Sequence, residues 1–172
     1  MSGVEMNEIK IPTLVLNETI ARENMKKMAA KAVAQNIRFR PHFKTHQSIR
    51  IGEWMREVGV NYITVSSVSM AQQFAQHGWK DILIAFPVNL RESAEIDKLA
   101  AEIRLSILIE SIESAQHLNK RLKNKVDAWI KIDTGMHRAG IWWEKINEII
   151  KVAQAVNSVS YTHLTLPTKR IV

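Results

Sequence analysis

The chemistry of this sequence is concentrated in Arg38-Phe39-Arg40-Pro41-His42-Phe43-Lys44-Thr45-His46. Three permanent cations and two imidazoles fall within nine residues. Alternation from Ile37 to Lys44 puts Arg38, Arg40, His42 and Lys44 on one face of a predicted strand. Folds built of parallel strands carry their active sites at the carboxyl ends of those strands. A row of cations facing a barrel interior is costly unless an anion lies among them. A cofactor phosphate or a substrate carboxylate would be such an anion. A lysine amine surrounded by other cations is held more easily in its neutral, nucleophilic form. The competing reading is a basic strand end bathed in water, the commoner fate of a charge run. The Pro-His-x-Lys-Thr-His spacing weighs against it.

Other candidates are fewer. Ser66 closes a predicted strand and is a second rim candidate. His77 and His117 sit near helix ends and read as surface residues. His163 lies in a segment set apart below and is given no role. The sequence has no cysteine, which removes disulfides, thiolate catalysis and cysteine-based zinc sites. Apart from His42 and His46 within the lysine motif itself, it has no H-x-x-x-H pair, and it has no carboxylate cluster suited to a metal. It also lacks the G-x-G-x-x-G dinucleotide fingerprint and the phosphate-binding P-loop. The net charge is +7, yet Lys and Arg are spread along the chain beside acids. Aromatics, at 6%, do not interleave with a basic stripe, so no nucleic-acid partner is expected. Lys120 to Lys125 reads as the solvated, dipole-favoured end of a helix. No run approaches the ~18 apolar residues of a membrane span. The first residues show no basic region followed by an apolar run, so no secretory signal is expected and a cytoplasmic location is.

The elements that must position these residues alternate. Predicted strands cover Ile11–Asn17, Ile37–Phe43, Asn61–Ser66, Asp81–Phe86, Arg104–Ile109 and Val126–Asp133. Predicted helices cover Thr19–Gln35, Ser48–Val58, a segment opened by Ser67 or Ser69, Leu90–Ala101, a segment capped by Ser111, and Trp142–Val156. The repeat of about 22 residues is that of βα units on a parallel sheet. An open doubly wound sheet and a barrel are both possible closures, and the absence of nucleotide fingerprints leaves nothing that points to the open nucleotide-binding version. A complete eight-unit barrel takes ~250 residues, so a barrel here would be an incomplete (β/α)8 barrel of about five units. No internal domain boundary is expected within 1–157. Residues 158–172 break the alternation, resemble a tail foreign to the fold, and are set apart from it.

Pro41-His42-Phe43-Lys44-Thr45-His46 resembles the P-H-x-K-T-H-K motif of the D-threonine aldolase and D-serine dehydratase family, which is related to the alanine racemase fold. Gln47 replaces its last lysine. Ile11-Pro12-Thr13-Leu14-Val15-Leu16 looks like the family's opening TPxLVLD, and Asp81–Pro87 like its DILIAYP. Lys131-Ile132-Asp133-Thr134-Gly135-Met136-His137-Arg138-Ala139-Gly140 looks like its x-I-D-x-G-x-x-R-x-G. The resemblance runs in order from Ile11 to Asn157. It implies a fold-type III pyridoxal phosphate enzyme, with a barrel and a β-rich second domain. Lys44 would form the internal aldimine, and Arg40 and His42 would lend a cationic field. Arg138 would stand near the cofactor ring and keep its pyridine nitrogen unprotonated. The alternative for Arg138 is a loop arginine paired with Asp133. The implied reaction is cleavage or dehydration of a D-3-hydroxy amino acid, with a divalent metal in full-length members and a homodimer as their assembly. The phosphate cradle and the metal ligands would lie beyond this stretch, which would make the chain a fragment of little activity. A racemase of the same fold, and a non-catalytic pyridoxal phosphate carrier, are the alternative readings.

Overall fold

The computed structural model describes residues 9–157 and 164–165. The chain divides into two compact units, Met1–Arg38 and Phe39–Val172. The first unit holds helix α1, Glu18–Ala34, opened by Asn17, whose side chain accepts the Ile20 N–H at 3.0 Å. A short polar oxygen at this position satisfies a donor that the first helical turn leaves free.

The predicted strand Ile11–Asn17 does not form. Leu14 is 98% exposed, and no described residue pairs with the segment. A strand is held by its ladder rather than by propensity, so an apolar, β-branched run without a neighbour stays irregular. The predicted strand Ile37–Phe43 shrinks to a single parallel bridge, His42 to Thr64, beside the Thr64 N–H donating to Pro41 O at 2.8 Å. Pro41 has no N–H to extend that ladder, and at Phe43 the backbone turns into a 3-10 turn, Phe43–Thr45.

The second unit then repeats strand and helix. In order come α2 (Ile49–Glu57), β1 (Ile63–Val65), α3 (Val68–Gln76), β2 (Asp81–Pro87) and α4 (Ser93–Ala100), preceded by a 3-10 turn at Leu90–Glu92. After them come β3 (Arg104–Ile109), α5 (Ile112–Arg121), β4 (Asp127–Ile130), β5 (Ile132–Asp133), β6 (Ile141–Trp142), α6 (Ile146–Asn157) and β7 (Leu164–Thr165). Sheet order is β1-β2-β3-β4-β7, with β5 and β6 as a separate pair. Every pairing is parallel. Helical starts follow sequence chemistry: Ser48, Ser67 and Ser111 each accept an N–H from the first turn of their helix. Trp142, expected at a helix start, instead pairs with Asp133 in β6.

Alternation along the strands sorts the core. Val65, Ile84, Ile107 and Ala128 lie in one register row and belong to a cluster with Phe74, Ile96, Leu118 and Val152 from the helices. The adjacent row, Thr64, Leu83, Ser106 and Asp127, lies on the opposite face and is also buried. Parallel strands buried on both faces, with helices between them in sequence, make an incomplete (β/α) barrel. The sequence boundary proposed at 157/158 falls largely outside the described residues. Within the set-apart segment, Leu164–Thr165 pair with Ala128–Trp129.

Candidate functional site at the carboxyl ends of the strands

Lys44 is the middle residue of the turn that follows the His42–Thr64 bridge. Two residues beyond Thr64, on the strand that the bridge joins, lies Ser66, just past the end of β1. Lys44 is exposed, whereas its neighbour Phe43 is 0% exposed. The Phe43 ring is packed by His46 (4.6 Å between centroids), Phe74 (4.9 Å) and Trp79 (5.2 Å). The turn is thus anchored through one residue and presents the next. Gly52 in α2 makes room for this packing, since a Cβ there would meet Phe43 Cε2 at 3.2 Å.

Both histidines of the motif accept backbone hydrogen bonds. His42 Nδ1 accepts the Lys44 N–H at 3.3 Å, and His46 Nδ1 accepts the Ser48 N–H at 3.0 Å. Burial, then the Lys44 charge, lowers the His42 pKa, against a hydrogen bond to the Thr64 backbone. Burial likewise lowers that of His46. Both rings are therefore uncharged at neutral pH.

Arg40 is placed elsewhere. Its guanidinium donates to Ile63 O at 3.0 Å and to Asp81 Oδ1 at 2.6 Å, and lies 5.2 Å from the centre of the Tyr62 ring. Ile63 and Asp81 begin β1 and β2, so Arg40 sits at the amino ends of the strands. There Arg104 joins Asp81 (3.9 Å) to Asp127 (2.6 Å), making a chain of alternating charge across the sheet. The expected single cationic face from Arg38 to Lys44 therefore does not converge on one rim. The extended chain from Arg40 to Lys44 covers about 13 Å, the height of a sheet, and the 3-10 turn then breaks the alternation.

Ser66 lines a cavity of about 210 Å³ with Ser67, Ile84, Phe86, Asn89 and Glu92. Arg138 lies in the loop after β5, exposed, and forms no hydrogen bond or ion pair among the described residues. It is not the partner of Asp133. That carboxylate accepts the N–H groups of Gly135, Met136 and His137 at 3.0–3.1 Å. These bonds, the one from Gly135 foremost, hold its pKa below the ordinary aspartate value. The same loop places His137 Nδ1 3.6 Å from Asp133 Oδ2 and stacks the His137 ring on Trp142.

Sequence reasoning missed Glu110. It follows β3 directly, its Oε2 is buried without a hydrogen-bond partner, and it lines a hollow of about 540 Å³ with Ser111, Asp133, His137, Trp142 and Lys145. The signal was available, because position just past a strand is the rule that singled out Ser66. Among the described residues no group of three or more His, Asp or Glu is arranged to hold a metal ion. The turn does fit an aldehyde cofactor. It offers an exposed primary amine at the rim, on a backbone anchored by the buried Phe43 and beside an uncharged imidazole.

The chain is 30% identical over 136 residues to D-threo-3-hydroxyaspartate dehydratase of Delftia sp., covering 76% of this chain and 35% of that one. It is 31% identical over 149 residues to D-serine dehydratase of Dictyostelium discoideum, covering 79% and 38%. The solved Delftia dehydratase superposes with a TM-score of 0.82 at 24% identity, over 92% of this chain and 44% of that one. D-threonine aldolase from Filomicrobium marinum gives 0.82 at 21%, over 94% and 44%. These structural likenesses establish the fold. The chain spans roughly 35–43% of the length of the dehydratase and aldolase relatives it matches. A family model described as "Alanine racemase, N-terminal domain" matches residues 17–166. With the parallel barrel arc and the lysine turn at its rim, this places the chain in the alanine racemase N-terminal domain family.

Proposed function

We propose that the chain is the cofactor-bearing part of a pyridoxal-phosphate-dependent lyase acting on D-3-hydroxy amino acids, with Lys44 as the residue that holds the cofactor covalently. The observation that carries this is the presentation of Lys44: an exposed amine at the carboxyl rim, on a turn whose neighbouring side chain is wholly buried. The relatives support the substrate class. They are named for D-serine, D-threonine and 3-hydroxy-D-aspartate, all D-amino acids with a hydroxyl on Cβ.

When bound, pyridoxal phosphate supplies an electron sink for the charge that develops at the substrate Cα. The protein's part is positional and protonic. Lys44 Nζ holds the group and, once free, can accept a proton from Cα. His42, uncharged, fixes the turn beside it. Ser66 offers a hydroxyl at the same rim, and Arg138 a cation that would keep the pyridine nitrogen of the cofactor unprotonated. Arg40 is left out, because both ends of its guanidinium are engaged at the opposite rim. The full-length protein is read as a cytoplasmic homodimer that also carries a divalent metal.

Borohydride reduction of the chain with pyridoxal phosphate tests the lysine. A pyridoxyl group on the peptide containing Lys44, absent in Lys44→Ala, is the expected result. Labelling spread over surface lysines and unchanged by that substitution would refute it. The family's name and the superposition of alanine racemase from Clostridium difficile, with a TM-score of 0.68, favour a second reading, a racemase. An extended gene product that interconverts enantiomers without forming an aldehyde or a 2-oxo acid would decide for it.

A further inference from the structure

The turn that presents Lys44 is braced from both sides by imidazoles. His42 lies two residues before the lysine and caps the 3-10 turn, its Nδ1 accepting the Lys44 N–H at 3.3 Å. His46 lies two residues after it, its Nδ1 accepting the N–H of Ser48, which in turn caps α2. The backbone binds the ends together: His46 N–H and Gln47 N–H both donate to Phe43 O, at 3.3 and 2.9 Å. The His46 ring leans on Phe43 and Phe74, and its Nε2 is buried without a hydrogen-bond partner.

An imidazole has one acceptor nitrogen and only when it is neutral. Because Nδ1 accepts in both residues, the proton of each neutral ring is on Nε2. Protonating either ring removes the acceptor that the backbone N–H uses. It also sets a cation two residues from Lys44. Asparagine, whose side-chain oxygen reaches the same place as Nδ1, is an ordinary cap for such a turn and has no comparable titration.

We propose that His42 and His46 are positioning residues for Lys44, each bracing the lysine turn through an acceptor nitrogen that only an uncharged imidazole has. This rests on the reading of Lys44 as the cofactor lysine. Among the described residues, the charge that acts on His42 is that of Lys44. The turn should therefore loosen on acidification, before any carboxylate titrates.

Hydrogen exchange at the Lys44 amide, followed by mass spectrometry across pH and corrected for intrinsic exchange, tests the brace without cofactor. Protection should fall as pH drops below the ordinary histidine value. His42→Ala should exchange about fivefold faster at neutral pH. His42→Asn should keep the protection and lose its pH dependence. Borohydride trapping of pyridoxal phosphate on the Lys44 peptide should follow the same order: wild type and His42→Asn alike, His42→Ala slower. His42→Ala matching wild type in both readouts, or His42→Asn behaving like His42→Ala, would overturn the proposal. A wild-type chain with a protected, pH-sensitive Lys44 amide but no trapped cofactor would refute the lysine reading and leave the brace standing. Should His42→Ala lose its fold by circular dichroism, the His42→Asn pH profile alone decides.

Discussion

His42 and His46 make the pH behaviour of the folded chain a residue-scale question. Their pKa values are lower in the fold than in the unfolded chain, so below the unfolded value of 6.5 the unfolded state binds more protons. Stability then decreases as pH falls through and below that value. The expected outcome is a midpoint of urea unfolding that drops between neutral and mildly acidic pH, and drops less in the double variant His42→Asn/His46→Asn. Asp133 acts in a lower window. Its depressed pKa adds stability that is complete above the ordinary value of 3.8 and is lost as pH falls through the depressed one. Gly140 is constrained by space and by backbone together. It has φ +103°, and a Cβ would lie 2.7 Å from Lys131 Cγ and 2.8 Å from Lys131 O. Gly140→Ala should cost about 2 kcal/mol or more, measurable by denaturant titration, and should disturb the loop that bears Arg138.

At the scale of elements, the two ends of the sheet do different work. The amino ends carry the chain Arg40, Asp81, Arg104, Asp127, in which Asp81 and Asp127 are largely buried. Removing one cation leaves a carboxylate with less compensation, which costs more than the pair contributes. Arg40→Met should therefore lower stability by about 1–3 kcal/mol while leaving the extent of cofactor trapping on Lys44 unchanged. A variant of normal stability with trapping abolished would return Arg40 to the site. The carboxyl ends carry the serine caps that start the helices and leave the rim open. Ser111 accepts the Ser114 N–H at 3.0 Å. Ser111→Ala should cost about 1 kcal/mol, or roughly 3 °C in Tm for a domain of this size.

At the scale of the molecule, the chain is an arc of barrel that covers 44% of the solved Delftia dehydratase. On α6, Ile146 and Ile150 are exposed one turn apart, and Trp143, three residues ahead of the helix, is exposed as well, an apolar patch of the kind that folds normally bury. Self-association that rises with concentration is expected in light scattering, and Ile146→Lys should reduce it. A monodisperse monomer at all concentrations would count against this. Local chemistry alone determined much of the protein. Serines ahead of apolar periodic runs marked the helix starts, β-branched runs marked β1 to β4, and the spacing around Lys44 marked the rim. Only the tertiary structure decided the rest. Ile11–Asn17 has strand composition but no pairing partner among the described residues, and pairing, being non-local, is not written in composition. The basic run from Arg38 to Lys44 reads as one face in sequence, yet the four extended steps from Arg40 to Lys44 span the sheet, so Arg40 and Lys44 serve opposite rims. Glu110 and His137 share a hollow only because separate strand ends and one tight loop converge there. The sequence by itself determined which residue presents the amine, and the fold decided which of its basic neighbours stay beside it.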